Sequence, residues 1–265
     1  MKISIIGAGN MGGAIARGLS KGSFFEAKDI CISDINDENL KRIKDFNSEI
    51  QCSKSNHECI EGADIIVLAV KPWLVESIAS EIQDKVLYDN QIILSIAAGV
   101  DLNKLKVLFP AKNGEIPTLF RMIPNTAIDV MESFSCITSY NASTDQEEKL
   151  VKIFDELGMA MLVSESQLNA YMSLSSCGIA YAFRYIRAAM EGGVEMGIYP
   201  NIAKEVVLQT LKGAIALLEA NGTHPEVEVD KVTTPGGVTI KGLNEMENAG
   251  FSSSVIRGLK ASFIK

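Results

Sequence analysis

The chain opens on Ile3-Ser4-Ile5-Ile6 and passes directly into Gly7-Ala8-Gly9-Asn10-Met11-Gly12. This junction constrains the fold more than any other stretch. A short, isoleucine-rich run has the length and β-branching of a buried strand, and residues 11–20 carry a helical pattern. G-x-G-x-x-G alone is a weak signal, because glycine-rich turns are frequent. Between a strand and a helix it becomes the phosphate-binding turn of a dinucleotide domain. Gly7 permits the tight turn, Gly9 lets a pyrophosphate approach the backbone, and Gly12 lets helix and strand pack. The helix N-terminus, through Asn10 and Met11, adds amides and partial positive charge.

The alternation continues to about residue 163. Residues 29–33, 63–70 and 91–96 read as strands, with weaker strands at 119–123 and 136–139. Helices are expected at 36–46, behind an Asp/Asn cap, after Pro72, and at 143–157 with Gly158 as the stop. Strands alternating with helices imply a parallel sheet covered on both faces. After residue 164 the period changes. Ile179, Phe183, Ile186, Met190 and Val194 mark one helical face, with Arg187 and Glu191 on the other side. A second helix runs from an Asn201 cap through Leu208, Leu211, Ile215 and Leu218 to Asn221-Gly222. Residues 241–249 are helical, and Val255, Ile256, Leu259 and Phe263 give a closing amphipathic pattern. The expected architecture is α/β: a Rossmann-like dinucleotide-binding domain over 1–163 and an all-helical domain over 164–265. Small residues such as Ala188, Ala189, Gly192, Gly193 and Gly213 give these helices thin, apolar surfaces, which predicts a homodimer formed through them.

Composition excludes several alternatives. At 265 residues, 47% apolar and 22% charged, the chain is neither disordered nor collagen-like, and it can bury a core without staples. A net charge of -8 argues against nucleic acid or an anionic membrane as partner. Cysteines 31, 52, 59, 136 and 177 are odd in number and form no C-x-x-C pair, and His57 and His224 are the only histidines. Free thiols in a reducing cytosol, and no metal site, are expected. No apolar run approaches the roughly 18 residues of a membrane span, and Gly7-Ala8-Gly9 interrupts the N-terminal run too early for a signal sequence. A cytoplasmic location follows.

Asp34 closes the second strand, where a carboxylate accepts hydrogen bonds from an adenosine ribose and repels a 2′-phosphate. Taken alone this leans toward NADH over NADPH. Lys41 and Arg42 lie on the next helix, read as a solvated face, and the choice between the two coenzymes stays open. Nucleophilic catalysis has little support: there is no G-x-S-x-G or H-E-x-x-H, His224 reads as loop surface, and Cys177 as a buried structural thiol in an apolar helix. Pro235-Gly236-Gly237-Val238-Thr239 before a helix is more informative. Successive unpaired N–H groups there form a nest suited to a carboxylate, and Thr239 adds a hydroxyl. The plain alternative is a threonine cap after a turn.

Gly7-Ala8-Gly9-Asn10-Met11-Gly12, Ala69-Val70-Lys71-Pro72, Ala97-Ala98-Gly99-Val100, Gly178-x-Ala180-Tyr181-Ala182-Phe183 and Thr234-Pro235-Gly236-Gly237-x-Thr239 together closely resemble the pyrroline-5-carboxylate reductase family. The resemblance runs in order over nearly the whole chain. It implies reduction of 1-pyrroline-5-carboxylate to L-proline by NADPH or NADH, the last step of proline synthesis. It also implies an intertwined homodimer, often assembled into a decamer. By position, Gly237, Val238 and Thr239 would hold the substrate carboxylate with backbone amides, and the Thr239 hydroxyl would face the ring nitrogen as the catalytic group. Asn56 would contact the cofactor; Ala69, Lys71, Pro72, Ala97 and Gly99 would line the nicotinamide side of the cleft, with Asn125 a further cleft position. Where the family usually has Ser-Gly-Pro-Ala-Tyr, this chain has Cys177-Gly178-Ile179-Ala180-Tyr181, without the hydroxyl and the rigid proline. A protonated cyclic imine is already an electrophile, so a site poor in acid–base residues suffices. The competing readings are a related imine or β-hydroxyacid reductase and a non-catalytic dinucleotide-binding regulator. The hydroxyacid version would want a helical lysine in the cleft, where Tyr181, Phe183 and Arg184 stand.

Overall fold

The computed structural model describes residues 1–263. The chain forms two compact units, one ending at Ser176 and one beginning at Cys177. The expected boundary after 163 follows the last strand, but the next helix packs with the first unit; residues 264 and 265 of the expected second domain lie outside the described residues.

In the first unit, β1 (Ile3–Ile6), α1 (Asn10–Leu19), β2 (Ile30–Ser33), α2 (Asp37–Phe46), β3 (Gln51–Ser53), α3 (Asn56–Ile60), β4 (Ile65–Leu68), α4 (Val75–Ile82), β5 (Ile92–Ser95), α5 (Leu102–Leu108), β6 (Thr118–Ile123), β7 (Ser133–Tyr140), α6 (Thr144–Asp155), β8 (Gly158–Leu162) and α7 (Glu165–Met172) follow in order. The sheet order is β3-β2-β1-β4-β5-β6-β7-β8. Ile3, Ile5, Ile32, Ile65 and Val67 pack on one face with Ile15, Leu19, Ile43, Ile153 and Phe154. Ile6, Ile66, Leu68 and Ile93 pack on the other with Val75, Ala79, Ile82, Leu102 and Leu105. Both faces are covered, so the strands are apolar at successive positions rather than alternating.

The sheet is parallel as expected from β3 to β6 and between β7 and β8, with one antiparallel pairing, β7 against β6. Residues 124–132 join the two through only a 3₁₀ turn, Thr126–Val130. That is too short for the crossover a parallel strand requires. Gly158 is not the stop of α6, which caps at Glu156; it opens β8 with φ 132°, where a Cβ would stand 2.2 Å from the Ser133 carbonyl oxygen. Sequence pattern also misses β3, α3 and α5, elements of 3, 5 and 7 residues.

The second unit is helical throughout its described residues: α8 (Gly178–Glu195), α9 (Pro200–Asn221), α10 (Pro225–Val232), α11 (Val238–Asn248) and α12 (Phe251–Ser262). Tyr199, not Asn201, caps α9, because Pro200 takes the first helical position, where its missing N–H costs nothing. Gly222, left-handed at φ 60°, ends α9 as expected. His224 lies in the exposed turn between α9 and α10, as expected, and from there caps α10, Nδ1 accepting the Glu226 N–H at 3.3 Å. Cys177 is half-buried at the end of a π-helical turn, Ser173–Cys177, rather than buried in a regular helix.

Candidate functional site

Six successive parallel strands end on one edge of the sheet, and every expected cofactor residue falls just beyond one of those ends. Gly7, Gly9, Asn10, Met11 and Gly12 follow β1, Asp34 follows β2, and Asn56 starts the helix after β3. Ala69, Lys71 and Pro72 follow β4, Ala97 and Gly99 follow β5, and Asn125 follows β6. The strand order reverses direction between β1 and β4, which is where open α/β sheets bind ligands.

The turn after β1 is built around its glycines. Gly7 has φ 106°, donates to the Ser33 carbonyl at 2.8 Å, and a Cβ there would lie 2.6 Å from the Ala69 carbonyl oxygen. A Cβ on Gly12 would lie 1.9 Å from the Gly7 carbonyl oxygen and 2.9 Å from the Ala69 Cβ. Gly9 is different: nothing lies within 4 Å of where its Cβ would be. It is also the N-cap of α1, which has no side-chain cap and no acidic residue in its first turn. By contrast α2, α3, α5 and α6 are capped by Asn36, Ser55, Asp101 and Ser143. The amides opening α1 therefore have no side-chain acceptor, the space beside Gly9 is open, and the turn fits the pyrophosphate of a dinucleotide.

Asp34 stands beside this turn. Its Oδ2 accepts the Ala8 N–H at 2.8 Å and the Asn39 side-chain amide at 3.1 Å, and its Oδ1 accepts the Asn36 N–H at 2.8 Å. Asn56 accepts from the Ser33 hydroxyl at 2.7 Å and donates to Glu81 at 3.0 Å. Asn125 is 9% exposed and caps the 3₁₀ turn, its Oδ1 accepting the Ala127 N–H at 2.9 Å. Ala97 is buried, whereas Gly99, at φ 80°, has open space around it. Below α3, the Cys59 thiol accepts from the Ser4 hydroxyl at 3.1 Å. The neighbouring Cys31 thiol holds Cys59 below the ordinary thiol range, and Cys59 together with burial pushes Cys31 above it.

Sequence reasoning missed one charged contact. Arg121, 4% exposed on β6, donates to Glu165 Oε1 at 2.9 Å, and the same oxygen accepts the Leu102 N–H at 3.2 Å. The pair ties the Ala97–Gly99 loop, through the start of α5, to α7. The available signal was Arg121 itself, a charge inside the apolar run of β6 that burial obliges to find a carboxylate.

The expected substrate residues lie in the second unit, at the start of α11. Gly237 is its N-cap, Val238 and Thr239 are its first two residues, and the helix has neither a side-chain cap nor an acidic first turn. One expectation needs correction: the Gly237 N–H is spent on the Thr234 carbonyl at 2.9 Å, because Gly236 turns left-handed at φ 73° and folds the chain back. The amides free of helix partners begin at Val238 and Thr239. A Cβ at Gly237 would lie 2.7 Å from Thr234 Oγ1 and 3.0 Å from its carbonyl oxygen, so a larger residue there would have to displace Thr234. The Thr239 side chain is exposed. Among the described residues no three His, Cys, Asp or Glu side chains converge in a way that could hold a metal ion.

Residues 165–265 match the family described as pyrroline-5-carboxylate reductase dimerisation, and residues 2–99 the family described as NADP oxidoreductase, coenzyme F420-dependent. The chain is 36% identical over 98% of its length to pyrroline-5-carboxylate reductase 1 of Dictyostelium discoideum, of which it spans only 48%. It is 33% identical to reductase 2 of the same organism, covering 98% of this chain and 90% of that protein. The crystal structure of the Plasmodium falciparum pyrroline carboxylate reductase with NADP bound superposes with a TM-score of 0.88 at 25% identity, covering 99% of this chain and 95% of that one.

Proposed function

Because the chain belongs to the pyrroline-5-carboxylate reductase family, we propose that it reduces 1-pyrroline-5-carboxylate to L-proline with NADH or NADPH, the last step of proline synthesis. The observation that supports this reading best is the uncapped start of α1 beside the open space at Gly9, at the ends of the parallel strands.

A bound nicotinamide supplies a hydride to the imine carbon, C5. The chain's own part is to bind, orient and exclude water. The α1 amides hold the pyrophosphate, Asp34 accepts from the ribose, and Ala69, Lys71, Pro72, Ala97, Gly99 and Asn125 border the coenzyme along the strand ends. Val238 and Thr239 amides hold the substrate carboxylate, with Gly237 closing the turn that presents them. The ring nitrogen carries a proton before reduction and keeps it in the product; when the imine arrives neutral, the Thr239 hydroxyl hands it one and is replenished from solvent. No stronger acid is required, and positioning supplies several kcal/mol on the effective-molarity scale.

The reading extends to assembly. Among residues 177–263 only Gly193 and Ala203 are buried, while Phe183, Ile215, Leu217 and Ile256 are each more than half exposed. An apolar groove of about 780 Å³ lies among α8, α11 and α12, lined by Tyr181, Tyr185, Met246, Phe251 and Val255. A helical surface this apolar supports a homodimer made through it, with a decamer as the further assembly of such dimers. Five unpaired thiols support a reducing, cytoplasmic setting. No described helix is long and apolar enough to cross a membrane.

The test is direct. Enzyme, reduced coenzyme and pyrroline-5-carboxylate should consume nicotinamide absorbance and yield proline; coenzyme oxidation that does not depend on the imine overturns the reading. Thr239→Ala should lower kcat roughly ten- to a hundredfold, the range for one lost polar contact in the transition state. Unchanged kinetics removes Thr239 from the mechanism.

A further inference from the structure

The groups around Asp34 carry the choice between the two coenzymes, which differ only by a phosphate on the adenosine 2′-oxygen. We propose that this chain selects NADH and rejects NADPH, through a carboxylate that has already consumed the donors a phosphate would need. The inference rests on the reductase reading above and concerns its coenzyme.

A carboxylate offers about four acceptor positions and no donor. Three are filled at Asp34, by Ala8, Asn39 and Asn36. The remaining one, on Oδ1, suits a single ribose hydroxyl. A 2′-phosphate at the same place needs N–H donors and cations. The Asn36 N–H and one Asn39 side-chain N–H, the donors nearest that place, already point at Asp34. The next amide, Glu38 N–H, is taken by the Asn36 side chain at 2.9 Å.

Arg42 and Lys54 are committed in the same way. Arg42 pairs with Glu38 at 2.8 Å, and Lys54 pairs with Asp37 at 2.7 Å. Lys41, one helical turn beyond Asp37 on α2, makes no such pair among the described residues and faces solvent on the same helix as the Asp37 and Glu38 carboxylates. The Asn56 amide is divided between Ser33 and Glu81. The residue after Asp34, where a guanidinium would both stack on adenine and pair with the phosphate, is Ile35. Its side chain is 90% exposed, an apolar plate for the adenine face that carries no charge. A phosphate entering here brings up to two negative charges against Asp34, Asp37 and Glu38, while Arg42 and Lys54 are already paired.

Calorimetric titration of the wild-type protein with NADH and with NADPH, in the absence of imine, reads the choice directly. NADH should bind at least about tenfold more tightly, the scale set by juxtaposed like charges. Equal affinities, tighter NADPH binding, or binding of neither coenzyme overturns the proposal. NADH-selective binding by a protein that fails to reduce pyrroline-5-carboxylate would instead sink the reductase reading and leave this one standing. Asp34→Ser keeps an acceptor for the Ala8 N–H, removes the charge and releases Asn36 and Asn39; it should strengthen NADPH binding by about tenfold or more. Glu38→Gln, at an exposed position, frees Arg42 without touching the turn and should improve NADPH binding about threefold while leaving NADH unchanged. An unaltered NADPH-to-NADH ratio in Glu38→Gln, or in a folded Asp34→Ser, refutes the charge argument.

Discussion

Gly9→Ala and Gly12→Ala add the same methyl group three residues apart and should fail in opposite ways. At Gly9 the backbone sits at φ -65° and ψ -168°, a conformation any L-residue adopts, and no atom lies within 4 Å of the added Cβ. The free protein should therefore keep its stability, or gain the roughly 0.4–1 kcal/mol that a compatible Gly→Ala exchange gives through the unfolded chain. The space the methyl fills is the approach to the α1 amides. Losing one charge-assisted N–H bond to a phosphate oxygen costs about 1.5–3 kcal/mol, or roughly ten- to a hundredfold in Kd for NADH. At Gly12 the methyl would stand 1.9 Å from the Gly7 carbonyl oxygen. Neither partner is the end of a flexible side chain, so α1 and the turn must separate by more than an ångström. Overpacking of that kind costs about 1–3 kcal/mol or more, lowering Tm by several degrees in a domain of this size. Thermal denaturation and NADH titration of both variants separate the two effects. Wild-type NADH affinity in Gly9→Ala, or a Tm loss there as large as in Gly12→Ala, would refute the assignment of the turn.

Three further outcomes follow from contacts elsewhere. Glu165→Ala leaves Arg121 buried without its carboxylate and the Leu102 N–H without an acceptor. Breaking a buried pair costs about 3–5 kcal/mol; with the Glu165 side chain 34% exposed, about 2–4 kcal/mol is expected in chemical denaturation, and less than 1 kcal/mol would mean water replaces the carboxylate. Ser143→Ala removes half of a reciprocal cap in which Ser143 accepts from the Gln146 N–H and Gln146 accepts from the Ser143 N–H, for a loss of about 1 kcal/mol. The neighbouring Cys59 thiol and burial both push the Cys31 thiol above its ordinary range. Alkylation by iodoacetamide at pH 8 should therefore be at least about tenfold slower at Cys31 than for free cysteine, and an equal rate would show that the thiol contact is not formed.

What was legible in the sequence was what is decided locally. The β1 turn and α1 are specified within about twenty residues, and the Asn36 and Ser143 helix starts are written in the residues that form them. What was not legible depends on partners far along the chain. Gly158 reads as a helix stop because that is what a glycine after an amphipathic run usually is; its strand role is imposed by Ser133 on β7. The antiparallel return of β7 follows from a connection too short to cross over, a property of spacing rather than of any residue. Gly237 looked like an amide donor until Gly236 turned the chain back onto Thr234.

The net charge of -8 takes on a different meaning beside these details. An acidic chain can bind two anionic groups without a surplus of cations by spending backbone amides on them, where no side chain has claimed those amides. α2, α3, α5 and α6 give their first-turn amides to Asn36, Ser55, Asp101 and Ser143. α1 and α11, the two helices assigned to pyrophosphate and carboxylate, follow Gly-rich turns and carry neither a side-chain cap nor an acidic first turn. Removing a capping side chain costs a helix about 1 kcal/mol, so an uncapped start is a local weakness that a bound anion repairs. The same logic runs in reverse at Asp34, where a carboxylate occupies the amides and an additional phosphate is turned away.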